Sequence, residues 1–110
     1  MAYYLQNQAT TTGPGTSLSI APLGMNIDQL VIVISGTATS HQVSFWAAQD
    51  GGVNWVPIEG VNNATGAVAS KTTGAFNESW SISLGRTMYN YFKANIDSVS
   101  GGYVTVTAGF

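Results

Sequence analysis

The sequence predicts an all-β domain, an antiparallel two-sheet β-sandwich of jelly-roll or immunoglobulin-like type with about eight or nine short strands. Three observations carry that expectation. Apolar residues recur at every second position, and no stretch shows helical periodicity. Glycine, proline and Asx clusters punctuate the chain at short intervals. The length of 110 residues suits one domain with its own core.

The elements follow in order. Residues 1–16 read either as an N-terminal arm that pairs with a neighbouring subunit or as a first edge strand, with Gly13-Pro14-Gly15 as the candidate hinge. Leu18 and Ile20 alternate with Ser17 and Ser19, and a turn follows at Pro22-Leu23-Gly24. Gln29 to Ser35 is apolar at five successive positions, Leu30 to Ile34, so both of its faces are expected to be covered. His41 to Gln49 sets Val43, Phe45 and Ala47 on one face and Gln42, Ser44, Trp46 and Ala48 on the other, with His41 read as a surface residue. Asp50-Gly51-Gly52 is tight-turn chemistry and leads into Asn54 to Ile58. Pro57 has no N–H to give a ladder, which makes that strand an edge or a bulge.

Gly60 to Gly66 reads as a loop, and Ala67 to Ser70 as a short strand. Glu78 to Leu84 alternates Trp80, Ile82 and Leu84 against serines; Tyr89 to Ile96 points Phe92, Ala94 and Ile96 inward and Tyr91, Lys93 and Asn95 outward. Ser100-Gly101-Gly102 turns the chain into a last strand with Val104 and Val106 inside and Tyr103, Thr105 and Thr107 outside. No repeat or linker divides the chain, so residues 1–110 are expected to form a single domain.

Charge is scarce. Only 7% of residues are Asp, Glu, Lys or Arg, against about 25% in an average soluble protein. Three basic residues and a net charge of −2 cannot make the electrostatic footprint of a nucleic-acid binder. The longest apolar run is far short of the roughly 20 residues of a membrane span, and no leader pattern opens the chain. Interface cores are poor in Lys, Glu and Asp and rich in aromatics. Three Trp, five Tyr and four Phe beside so few charges therefore predict a surface covered by neighbours, as in a homo-oligomer or a larger assembly. The candidate contacts are Tyr3, Tyr4, Trp46 and Phe110.

Catalytic chemistry finds no support. A triad needs a nucleophile, a base and an orienting group, and the single histidine, His41, lies in no such pattern. The five acids fall in turns or apart, although Glu59 and Glu78 flank one loop. With no cysteine there is no disulfide and no thiolate metal site, and no cofactor motif is present. Sandwich lectins and carbohydrate-binding modules hold sugars on exposed Trp and Tyr. Trp46, Tyr91 and Tyr103 read as outward, whereas Trp55 and Trp80 read as core. A sugar platform would need Asp, Asn or Gln at the same place, and the linear sequence shows no such clustering.

The run Val43 to Ile58, VSFWAAQDGGVNWVPI, resembles a strand-turn-strand unit of small β-sandwich virion proteins of tailed bacteriophages. Tyr91 to Ile96, YFKANI, and Ser100 to Thr107, SGGYVTVT, resemble later strands of the same group, in matching order over roughly Leu30 to Thr107. Trp46 and Ala48 depart from it, standing where the pattern has a small or acidic residue and then Ser. The resemblance implies a virion location and no enzyme activity. It implies a capsid decoration (cement) protein that stabilises the shell by bridging subunits of the major capsid protein, often as a trimer. The alternatives are a tail or baseplate component and, in a different class, a carbohydrate-binding module for host attachment.

Overall fold

The computed structural model describes residues 2–19, 29–48, 54–74, 77–83 and 91–109. Ten strands and no helix occur among them: β1 (Ala2–Ala9), β2 (Leu18–Ser19), β3 (Gln29–Gly36), β4 (Ser40–Ala48), β5 (Trp55–Pro57), β6 (Gly60–Asn62), β7 (Val68–Ala69), β8 (Glu78–Ser83), β9 (Tyr91–Ser100) and β10 (Val104–Gly109). They form a six-stranded sheet in the order β1-β10-β3-β8-β6-β7 and a four-stranded sheet in the order β2-β9-β4-β5. Every pairing is antiparallel. The result is the predicted β-sandwich.

The two-residue period decides which side chains enter the core. Leu30, Ile32, Ile34, Trp80, Ile82, Val104, Val106 and Ala108 come from the larger sheet, and Val43, Phe45, Ala47, Phe92, Ala94 and Ile96 from the smaller. All are buried. Phe45 ties the layers together: its ring centre lies 5.4 Å from that of Trp80 in the opposite sheet and 6.3 Å from that of Phe92 on the neighbouring strand. Offset and tilted aromatic pairs of this kind add to the burial of apolar area.

Residues 2–9 form an edge strand on β10. Register shifts between Tyr4 and Gln6 and between Gln6 and Ala9 interrupt the pairing. The first lets consecutive residues Leu5 and Gln6 both turn inward. The Gln6 amide donates to the carbonyls of Gly13 (3.0 Å) and Ala94 (2.8 Å). Gly13 in turn exchanges backbone hydrogen bonds with Ile96. Gly15 has φ +63° and sits against the Leu5 carbonyl, where a Cβ would collide. The Gly13-Pro14-Gly15 segment thus carries the chain across from one sheet to the other, held by side-chain and backbone bonds.

Several expectations need correction. Strand β3 is not covered on both faces, since Val31 (41% exposed) and Val33 (40%) face solvent. It runs mid-sheet in a two-layer fold, and no second layer among the described residues lies over that side. Gly60 to Asn62 is a strand rather than loop, paired with Ile82 to Trp80 of β8, and a Cβ on Gly60 would meet the Ile82 Cδ1. His41 is buried, not on the surface: it shares the inward parity of Val43 and pairs with inward-facing Val99. Strand β9 runs four residues beyond Ile96, through an irregularity opposite Gln42 and Val43. Pro57 lies on edge strand β5 as predicted. The turns at Pro22-Leu23-Gly24 and Asp50-Gly51-Gly52, and Ile20, Leu84, Tyr89 and Phe110, lie outside the described residues.

Candidate functional site

The sandwich presents two outer faces of opposite chemistry. On the larger sheet, register aligns Gly109, Val31, Ser81, Val61 and Val68 in one row across β10, β3, β8, β6 and β7. The adjacent row holds Tyr4, Thr107, Val33 and Ser79. Tyr4, Val31, Val33, Val61 and Val68 are 40–61% exposed, and of the large exposed hydrophobics described only Val56 lies elsewhere. Between them stand Ser, Thr and Gly. Asn63 closes the far end, its amide donating to Ser79 Oγ and accepting from Ser81 Oγ, each at 2.8 Å. None of the described residues on this face is charged.

The smaller sheet is different. Its outer rows align Tyr91 with Ala48 and Trp55, then Lys93 with Trp46 and Pro57, then Asn95 with Ser44. Lys93 Nζ stands 4.4 Å from the centre of the Trp55 ring, a cation–π contact. The Trp46 indole N–H donates to Ser44 Oγ (2.9 Å), and the Ser44 hydroxyl donates to Asp97 Oδ1 (2.9 Å). Asn95 donates to the same oxygen (2.7 Å). Asp97 reaches this row because it sits at the irregularity in β9, beside the register shift between Gln42 and Val43. Trp55 is therefore not core, as expected from sequence, but half-exposed on an edge strand, whereas Trp80 is core.

The described contact candidates, Tyr3, Tyr4 and Trp46, do not form one patch. Tyr4 projects from the larger sheet at 60% exposure. Tyr3, one residue away and of opposite parity, packs against the core. Trp46 lies on the other side of the molecule. Val31, Val33, Val61 and Val68 share the face of Tyr4; the sequence placed them in a covered strand, a loop and a short strand. Trp46 instead gathers Asn95, Asp97, Lys93 and Trp55, through pairings between segments far apart in sequence.

Of the acids, Asp28 and Asp50 lie outside the described residues, and Glu59 and Glu78 differ in burial. Glu59 is exposed. Glu78 is buried between the layers, where its Oε1 accepts from the Thr73 hydroxyl (2.8 Å) and the Asn62 amide (3.2 Å). Those bonds hold the β6–β8 end of the sandwich together. Among the described residues no three His, Cys, Asp or Glu come close enough to hold a metal ion.

No curated protein sequence matches the chain. Solved structures do share its architecture. YomS, a protein derived from the SPBc2 prophage, superposes with a TM-score of 0.84 at 23% identity, covering 98% of this chain and 88% of that one. The exported protein XepA of PBSX superposes with a TM-score of 0.86 at 23% identity, covering 98% of this chain but 36% of XepA. The chain thus spans about a third of XepA's length, and at this identity both likenesses concern the fold. A family model adds the membership: XepA matches residues 1–109, and the chain belongs to the XepA family.

Proposed function

We propose that this protein is a structural component of a phage virion, a capsid decoration protein that docks through the outer face of its six-stranded sheet. One observation carries the reading. Strand β3 is apolar on both sides, yet the described chain covers only one. Val31, Val33, Val61, Val68 and Tyr4 form an uncharged surface on a rigid sheet, the composition of an interface core rather than of a solvated exterior.

The sheet edges support docking by faces rather than by strand addition. Edge strand β1 has interrupted register, β5 carries Pro57, and β2 and β7 are two residues long. Short, bulged or proline-bearing edges discourage pairing with another chain. No catalytic step is assigned to the domain. PBSX XepA is an exported protein, which fits a role outside the cell, and membership in the XepA family fits the virion.

The test is reconstitution. Purified protein added to particles lacking it should bind at saturable copy number and raise their disruption temperature. Binding to isolated tails with no capsid binding would move the protein to the tail or baseplate. Binding to neither would end the virion reading.

A further inference from the structure

We infer that the outer face of the four-stranded sheet is a saccharide-binding platform, built by Trp46, Trp55 and Tyr91 with Lys93 and Asn95 at its rim and the Asp97 carboxylate, whose Oδ2 is buried, bracing them. A sugar ring offers an apolar C–H face and a rim of hydroxyls. Its receptor therefore needs a flat aromatic surface with hydrogen-bonding groups beside it, the usual make-up of small-ligand sites. This face provides both within three register rows. Tyr91 and Trp55 flank Ala48; Lys93 and Pro57 flank Trp46; Asn95 pairs with Ser44. Neighbouring strands stand about 4.8 Å apart and successive rows about 6.8 Å. Rings and polar groups thus alternate at intervals comparable to one sugar unit.

The rings are also held in place. The chain of bonds from the Trp46 indole through Ser44 to Asp97, braced by Asn95, fixes the Trp46 orientation. Lys93 packs its ammonium against one face of the Trp55 ring and brings donors to the rim. Such pre-organisation lowers the ordering cost of binding. Trp46, Trp55 and Tyr91 stay partly exposed on this face, whereas Trp80 and Phe92 are closed into the core. A protein partner suits the other face better, where charge is absent and valines cluster. The proposal is independent of the docking role, since the two faces point in opposite directions.

The test is titration of the intact protein with cellohexaose, chitohexaose, mannohexaose and maltohexaose, read by calorimetry and tryptophan fluorescence, with thermal melts of every variant. At least one hexasaccharide should bind saturably. Trp46→Ala and Trp55→Ala should each weaken it about tenfold or more. Val33→Thr, on the opposite face, should leave it unchanged. Asn95→Ala and Lys93→Ala, which remove polar rim groups, should also weaken binding and serve where a tryptophan variant fails to fold. No saturable binding to any of the four, or binding indifferent to the folded variants, overturns the proposal.

Discussion

Replacing Val33 by lysine should abolish docking while the isolated domain stays folded. The magnitudes follow from exposure. Full burial of a valine-sized side chain is worth about 1.5–3 kcal/mol. Val33 is 40% exposed, so covering the remainder contributes ~0.6–1.2 kcal/mol. The same reasoning over Tyr4, Val31, Val33, Val61 and Val68 gives about 4–7 kcal/mol for the patch. Association costs about 4–15 kcal/mol in lost freedom of motion, so one copy alone is held weakly and multiple contacts on a shell must supply the rest. An unpaired ammonium buried there costs several kcal/mol, comparable to the entire apolar gain. In the isolated domain the same lysine stands in water beside Ser79 and Thr107, where the loss of strand preference is worth under about 1 kcal/mol. Co-sedimentation with particles and a thermal melt of the free protein measure the two effects. Docking unchanged by the lysine, or a domain unfolded by it, would refute the reasoning.

Other substitutions probe the framework. Phe45→Ala removes the ring that joins Trp80 to Phe92 and should cost about 3–5 kcal/mol in denaturant unfolding. Gln6→Ala leaves the Gly13 and Ala94 carbonyls without that donor; it should cost about 1–3 kcal/mol and speed amide exchange at Gly13 and Ile96. Gln8 holds φ +52°, a left-handed conformation that costs a side-chain-bearing residue about 1–2 kcal/mol, so Gln8→Gly should raise the melting temperature.

Much of the fold was legible because alternation maps directly onto sheet faces. Trp80, Ile82, Phe92, Ala94, Ile96, Val104 and Val106 are buried as their parity demands. The pattern could not say whether the far side of Leu30 to Ile34 meets a second layer of the same chain or another molecule, because an apolar residue looks the same in either case. One short strand, Gly60 to Asn62, escaped for a related reason. Gly60 is a strand residue through its pairing with Ile82 and Ala69, a tertiary demand that turn chemistry in the sequence conceals. The candidate contacts were legible only one residue at a time. Tyr3 and Tyr4 are adjacent yet face opposite ways, and Trp46 belongs to a cluster assembled by the pairing of β4 with β5 and β9. Asp97 joins that cluster through an irregularity in β9 that no periodicity announces.

The central claim is that the uncharged outer face of the six-stranded sheet is where this protein meets a virion. An electron cryomicroscopy reconstruction of particles saturated with the protein tests it most directly. The account predicts β-sandwich density on the capsid with Val31, Val33, Val61 and Val68 turned toward the shell and the Trp46 face turned outward. Density with the valine face open to solvent, or no ordered density on the particle, would contradict it.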